Sequence, residues 1–315
     1  MTHSFRFGVI NETMDAPQPW LSRVRRVEAL GYSTFLLRDH LVPDYFGDQY
    51  APLPALMAAA MATTSLHVGT MVVDNDFHHP ALLAKQVATL DVLSGGRFEL
   101  GIGAGWLRSE YERAGIPFDA NGVRIGRLEE AIVVLKGLWG GGPFSFAGAH
   151  YQIEGLTGVP VPQRRPRLLI GGGHRRMLTI AGREADSVGI LTSSVADGTL
   201  RTDPAQLLPE AVAEKVGWVR AGAESRADDI ELSLIPTVVL AEDRSGATEA
   251  LIARRGWHGI AAEQVWAMPS VLIGDVAQII ADLHDRRARY GFSYYIVGDD
   301  QLEAFAPVVA ACARQ

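Results

Sequence analysis

The stretch "RFELGIGAGW" occupies residues 97–106 and places glycine at positions 101, 103 and 105, at the end of a strand-like run. A dinucleotide fingerprint would read Gly-x-Gly-x-x-Gly at the opening of a helix, with an acidic residue about 20 positions further on at the end of the next strand. Here the glycines alternate, three strand-like runs come earlier, and "WLRSEYERAGIPFD" follows with no second strand to carry that acid. The stretch does not open a Rossmann unit. As the fourth strand of a barrel it would end on the face where βα loops build active sites, and Gly103, Ala104 and Gly105 would let the backbone approach a flat ring or a phosphate. The same glycines also suit close strand packing or a bulge, and both readings stand at this point.

Outward from this strand the chain alternates short β-rich runs with helical stretches. Strands are expected at 5–10, 33–37, 66–73, 97–103, 167–173, 186–191, 230–241 and 293–298. Helices are expected at 19–31, 52–64, 79–96, 119–139, 174–185, 204–223, 275–291 and 301–313, several with proline at the first turn or glycine at the end. A hairpin near 143–153, turning at Ala147-Gly148, reads as an insertion. Residues 245–270 read as short helices without a strand, an extra segment or a lid. Eight strands alternating with helices over one continuous chain predict an α/β fold, a (β/α)8 TIM barrel spanning residues 1–315 as a single domain.

The apolar fraction is 48% and the charged fraction 21%, which is ordinary globular usage and favours neither a disordered nor a fibrous class. A net charge of −7 with scattered arginines argues against a nucleic-acid partner and for a small-molecule one. The single cysteine, Cys312, rules out a disulfide framework and a cysteine-based metal site. No run approaches the roughly 20 apolar residues of a membrane span, and a cytoplasmic location is expected.

Three segments carry a family resemblance: "HPALLAKQVATLDVLSGGRFELGIGAGWLRSEYERAGIPF" (79–118), "RIGRLEEAIVVLKGLW" (124–139) and "RLLIGGGHRRMLTIAGREADSVGI" (167–190). Together they resemble the bacterial luciferase-like TIM-barrel oxidoreductases, over most of the chain. The resemblance implies a dimer, and a cofactor that is either the deazaflavin coenzyme F420 or reduced FMN. A non-catalytic barrel that binds flavin or another ligand is a third alternative.

"RDH" (38–40) ends the second strand, so Asp39 and His40 should stand over the barrel mouth. The resemblance to the F420-dependent branch implies that this pair contacts the deazaflavin, and it is the reason to favour F420 over FMN. A strand-end Asp-His pair also suits a capping hydrogen bond. Reduction of a C=C or C=O bond needs a proton donor; histidine as a residue type suits that role near neutral pH, so His40 is the first candidate, with Glu12 after strand one the second, though Glu12 equally suits a solvated surface carboxylate. The resemblance also implies that Val72 and Val73 back the ring, next to a non-prolyl cis peptide. It further implies that Gly172, Gly173 and His174 hold the cofactor phosphate at a helix start, with Arg175 beside them. Arg164, Arg165 and Arg167 suit the polyglutamate tail of F420, and equally suit ordinary solvated loop charge. Arg175 and Arg176 equally suit a solvated helix surface. The adjacent His78 and His79 lack metal-site spacing and no metal is expected. The sugar-phosphate dehydrogenases of the F420 branch carry an acidic donor just after the glycine loop. Trp106 and Leu107 stand there instead, so Trp106 implies an apolar substrate wall, and the next acid is Glu110.

Overall fold

A computed structural model describes residues 3–193, 198–201 and 203–312. Eight parallel strands form the barrel: β1 (Arg6–Ile10), β2 (Thr34–Leu37), β3 (His67–Thr70), β4 (Phe98–Gly103), β5 (Arg167–Gly172), β6 (Ser187–Ile190), β7 (Glu231–Leu234) and β8 (Phe292–Gly298). Each pairs with its sequence neighbours, and β8 closes the ring on β1, with Arg6 opposite Tyr294 and Ile10 opposite Gly298. Helices join the strands, and those starting at Pro17, Pro52, Pro80 and Pro209 carry proline in the first turn, where its missing N–H costs no helical hydrogen bond. None of the described helices is long and apolar enough to cross a membrane.

Two cores result from the alternation of strand side chains. Outward residues such as Val9, Phe35, Val68, Leu100 and Ile170 pack under the helices, whereas Ile10, Leu36, Met71, Leu169, Tyr294 and Ile296 fill the barrel interior. The N-terminal end of the barrel is closed by charge. Arg6 reaches Glu231 at 2.5 Å and Glu99 at 2.9 Å, with its guanidinium 4.2 Å above the Tyr294 ring, and Arg167 meets Glu231 at 3.1 Å. Both carboxylates are buried, so the cations are what make their burial tolerable.

The structure differs from the expected elements where proline or a small local core intervenes. The run 230–241 is two strands, not one: after β7 the chain passes Ile235 and Pro236, and Thr237–Leu240 pairs with Val271–Gly274 in a separate parallel pair. Proline supplies no N–H to a ladder, so the barrel pairing stops there. The helices Arg244–Arg255 and Ala262–Ala267 fill the expected helical stretch 245–270, the first starting one residue earlier. The strand after them has no counterpart among the expected elements. It belongs to a satellite core of Leu251, Trp257, Val265, Met268, Val271 and Ile273, which no local period announces. The run 66–73 is likewise broken, into β3 and the short Val73–Asp74 beside β4. Helix 204–223 begins as a 3₁₀ turn and becomes α-helical at Pro209. The hairpin strands are Pro143–Ala147 and Gln152–Thr157, and the last helix is Leu302–Cys312; Ala313 lies outside the described residues.

Candidate active site

Because the barrel strands run in one direction, the loops after their C-terminal ends meet on one face. That face carries Glu12 after β1, Asp39 and His40 after β2, Val72 after β3, Ala104 to Trp106 after β4, and Gly173 to Arg175 after β5.

His40 is held on three sides. Its Nδ1 lies 3.1 Å from both carboxylate oxygens of Glu110, Phe46 stacks on its face at 4.9 Å between centroids, and Trp106 meets it edge-on at 5.9 Å. Glu110 is buried in the first turn of the helix Arg108–Ala114, and its Oε1 also accepts the backbone N–H groups of Leu41 at 2.6 Å and Val42 at 3.3 Å. A carboxylate only accepts hydrogen bonds, so it assigns the imidazole proton to Nδ1. In the neutral ring Nε2 then carries the lone pair, and it has no protein partner among the described residues.

Asp39 turns the other way. Its Oδ2 accepts from His78 Nε2 at 2.8 Å and from the backbone N–H of Asp74 at 3.2 Å, leaving Oδ1 without a hydrogen bond from the described residues. On its other side His78 faces a groove of about 340 Å³ lined also by His79, Asp119, Arg127 and Tyr151. Asp74 accepts from the Tyr111 hydroxyl at 2.9 Å and from the Asp76 amide at 3.0 Å. Burial pushes its carboxyl up to about 7, against the opposing pull of those two donors. The short helix thus steadies two loops through adjacent residues, Glu110 the loop after β2 and Tyr111 the loop after β3.

The alternating glycines make this convergence possible. A Cβ at Gly101 would overlap the Thr70 carbonyl, and one at Gly103 would lie 2.9 Å from a Val72 methyl. At Gly105, where φ is +70°, a Cβ would overlap the Tyr111 hydroxyl and the Asp74 carboxylate. The stretch therefore brings β3 and the Glu110 helix close, and only its backbone is left to meet a ligand. The Met71–Val72 peptide bond is cis. Of the two valines expected to back a ring, only Val72 is partly exposed. Val73 is fully buried in the layer between strands and helices, because successive residues of an extended chain point to opposite sides.

The Glu12 carboxylate is engaged, accepting from Arg38 Nε at 2.8 Å. Arg38 in turn lies 3.8 Å from the centroid of Phe46, so Glu12 supports the ring that packs on His40. At the end of β5, Gly173 leaves room for the Leu191 carbonyl, and His174 precedes the helix Arg175–Glu184 without a side-chain cap. The first intrahelical amide is that of Leu178, bonded to His174 O, so the amides of Arg175, Arg176 and Met177 have no backbone partner among the described residues and suit an anion. Arg175 is exposed and makes no ion pair among the described residues, whereas Arg176 is turned away to Glu129 at 2.8 Å. Arg165 and Arg167 are corrected: they pair with Asp186 and Glu231 at the N-terminal end of β5, the opposite end of the barrel from His40.

Residues 1–296 match the luciferase-like monooxygenase family. The chain belongs to that family. It is similar to an F420-dependent glucose-6-phosphate dehydrogenase of Microbacterium testaceum, 29% identical over 98% of this chain and 89% of the relative. It is also similar to an FMNH2-dependent dimethylsulfone monooxygenase of Pseudomonas fluorescens, 28% identical over 72% of this chain and 58% of the relative. Among solved structures, an F420-dependent secondary alcohol dehydrogenase in complex with an F420-acetone adduct shares the fold, with a TM-score of 0.76 and 18% identity over 98% of this chain and 99% of that one. As a member of this luciferase-like family the protein is an enzyme, an oxidoreductase. The residues at its mouth fit a flat redox ring with a phosphate arm: Val72 offers a partly exposed apolar side chain, and, among the described residues, Asp39 Oδ1, the amides that follow Gly173 and the Arg175 guanidinium have no partner. Phe46, Tyr45, His78 and Tyr111 are not legible as site residues in the sequence, because each reaches the mouth only through a tertiary contact.

Proposed function

We propose that this enzyme is a coenzyme F420-dependent oxidoreductase that moves a hydride between the deazaflavin and a small organic substrate, with His40 handling the proton. The observation that carries the reading is the buried Glu110 carboxylate on His40 Nδ1, which presents Nε2 as an open base at the mouth. The cofactor, when bound, supplies the two-electron hydride acceptor or donor. Asp39 and Val72 would meet its ring, with the backbone of Gly103, Ala104 and Gly105 alongside. Gly172, Gly173, His174 and Arg175 would hold its phosphate. His40 Nε2 takes the hydroxyl proton when an alcohol is oxidised and returns it when a carbonyl is reduced. Trp106 and Phe46 pack on the ring that carries that nitrogen and hold it in place. Glu12 serves through Arg38 and Phe46.

The test is titration of the purified protein with oxidised F420 and, separately, with FMN. F420 binding at least tenfold tighter, with turnover that falls about 10²–10⁴-fold in His40→Ala, supports the reading. Preferential FMN binding with oxygen consumption would replace it with flavin monooxygenation, and binding of either without turnover would leave a ligand-binding barrel. A homodimer is part of the proposal. Leu82 and Leu93 lie on one face of the helix Pro80–Ser94, about three turns apart, and both are exposed, as is Met61 on the neighbouring helix. Sedimentation of the wild type against Leu93→Glu tests it. The cytoplasm is proposed as the location, which suits the lone buried thiol of Cys312.

A further inference from the structure

The wall beside His40 is aromatic and continuous. His40 stacks on Phe46, Phe46 lies 6.2 Å from Tyr45, Tyr45 lies 5.4 Å from Trp106, and Trp106 returns to the edge of His40. The four groups close a ring of contacts built from the loops after β2 and β4. Leu41 and Tyr45 are 56% and 44% exposed, and Trp106 and Phe46 are partly so, which leaves apolar surface beside the open nitrogen. Phe46 is held rigidly, with the Arg38 guanidinium on it 3.8 Å from its centroid and the imidazole at 4.9 Å.

The charged groups around this wall are committed to one another. Arg38 pairs with Glu12, Arg113 with Asp44 at 3.3 Å, and Arg108 lies 4.3 Å above Phe118 and 3.9 Å from Glu112. Ser109 donates to Asp44. Of the cations on these loops, Arg38 and Arg113 are ion-paired and the half-exposed Arg108 lies over Phe118, so none of them is directed at His40, and Glu110 adds negative charge directly behind it. A phosphate dianion placed here would lose its water without gaining a counter-charge. Arg175, which has no ion pair among the described residues, stands at the end of β5 that the cofactor reading assigns to the cofactor phosphate.

We infer that the substrate is an uncharged alcohol or carbonyl compound with a flat apolar group, aromatic or similarly unsaturated, next to the reacting carbon. That group lies on Trp106 and Tyr45 while the oxygen reaches His40 Nε2. The inference rests on the reading that His40 is the proton-handling group. Trp106 and Tyr45 then set specificity, and Phe46 positions His40. The pairing of flat rings at 4.5–7 Å favours an aromatic guest over an aliphatic one of equal polarity.

Calorimetric binding to the cofactor-loaded protein tests this, with acetophenone, acetone and glucose 6-phosphate as probes. Acetophenone should bind at least tenfold more tightly than either of the others. Trp106→Ala should weaken acetophenone by about 10–100-fold while changing acetone by less than about threefold, and Trp106→Phe should restore most of the loss. Trp106→Phe also guards against an alanine variant that fails to fold. Glucose 6-phosphate binding as tightly as acetophenone, or an unchanged acetophenone affinity in Trp106→Ala, overturns the inference. Cofactor choice is read separately from the F420 and FMN titrations, and the ketone comparison is made on whichever cofactor binds. A wrong cofactor assignment and a wrong substrate class therefore give different results. His40→Ala with undiminished turnover of acetophenone would remove the proton role alone.

Discussion

Replacing Glu110 by glutamine changes one atom of the carboxylate that faces His40, and the geometry around it fixes the consequence. The side chain is buried, so a glutamine at this position would have to keep its oxygen on the Leu41 and Val42 amides, which Oε1 of Glu110 now accepts at 2.6 and 3.3 Å. The new NH2 group would then face His40 Nδ1 from the position of the second oxygen, now at 3.1 Å. An amide nitrogen donates and does not accept, so the imidazole proton would shift to Nε2 and the open lone pair would be lost. A carboxylate that orients a catalytic histidine is worth about 10⁴ in kcat when it is converted to an amide in a serine protease, and about 10²–10⁴ is expected here. Loss of a charge-assisted hydrogen bond should cost about 1.5–3 kcal/mol of stability. The assay is single-turnover hydride transfer followed by deazaflavin absorbance, together with the ¹⁵N shifts of the imidazole, which report the tautomer directly. Transfer within threefold of wild type, or a His40 tautomer unchanged in Glu110→Gln, would refute the argument.

Other substitutions separate scaffold from chemistry. Arg6→Met leaves Glu99 and Glu231 buried against weakened counter-charge at the closed end of the barrel, and should cost about 3–5 kcal/mol in denaturant unfolding with kcat unchanged. A kcat loss beyond twofold would contradict the assignment of that end to stability. Gly105→Ala forces a side chain into the left-handed region and into the Tyr111–Asp74 contact, for an expected loss of about 2–5 kcal/mol. An unshifted Tm would show that the loop relaxes freely. Asp74 is pushed up to about 7 when folded and is ordinary when unfolded, so the unfolded chain loses this proton first. Stability should therefore fall as pH rises from about 4 to 7, by up to about 1.4 kcal/mol per pH unit from this group, and level off above that. Asp74→Asn should flatten that slope, and an identical pH–stability curve in the variant would show that Asp74 is not its source.

Much of the architecture is readable along the chain, because strand and helix periods are local and eight alternations admit few other folds. The breaks come where a single residue or a small remote core overrides the period, as at Pro236 and in the pairing of Thr237–Leu240 with Val271–Gly274. The site is legible in part. Strand ends can be located in a sequence, which is enough to find Asp39, His40, Trp106 and the turn at Gly172. What those residues touch cannot be read from spacing: Glu110 lies 70 positions from His40, and His78 lies 39 from Asp39.

The sequence by itself determined that the chain is a parallel α/β barrel and which strand ends bear polar groups, since hydrophobic period and glycine or proline punctuation act over a few residues; the luciferase-like kind came from the resemblance of whole segments. Only the tertiary structure decided that the alternating glycines of "GIGAG" admit neighbouring chain, that Val73 is turned into the core while Val72 is not, and that the Glu110 carboxylate lies against His40 Nδ1. Each of these depends on a distance between segments far apart in the chain, and such distances are set by barrel closure.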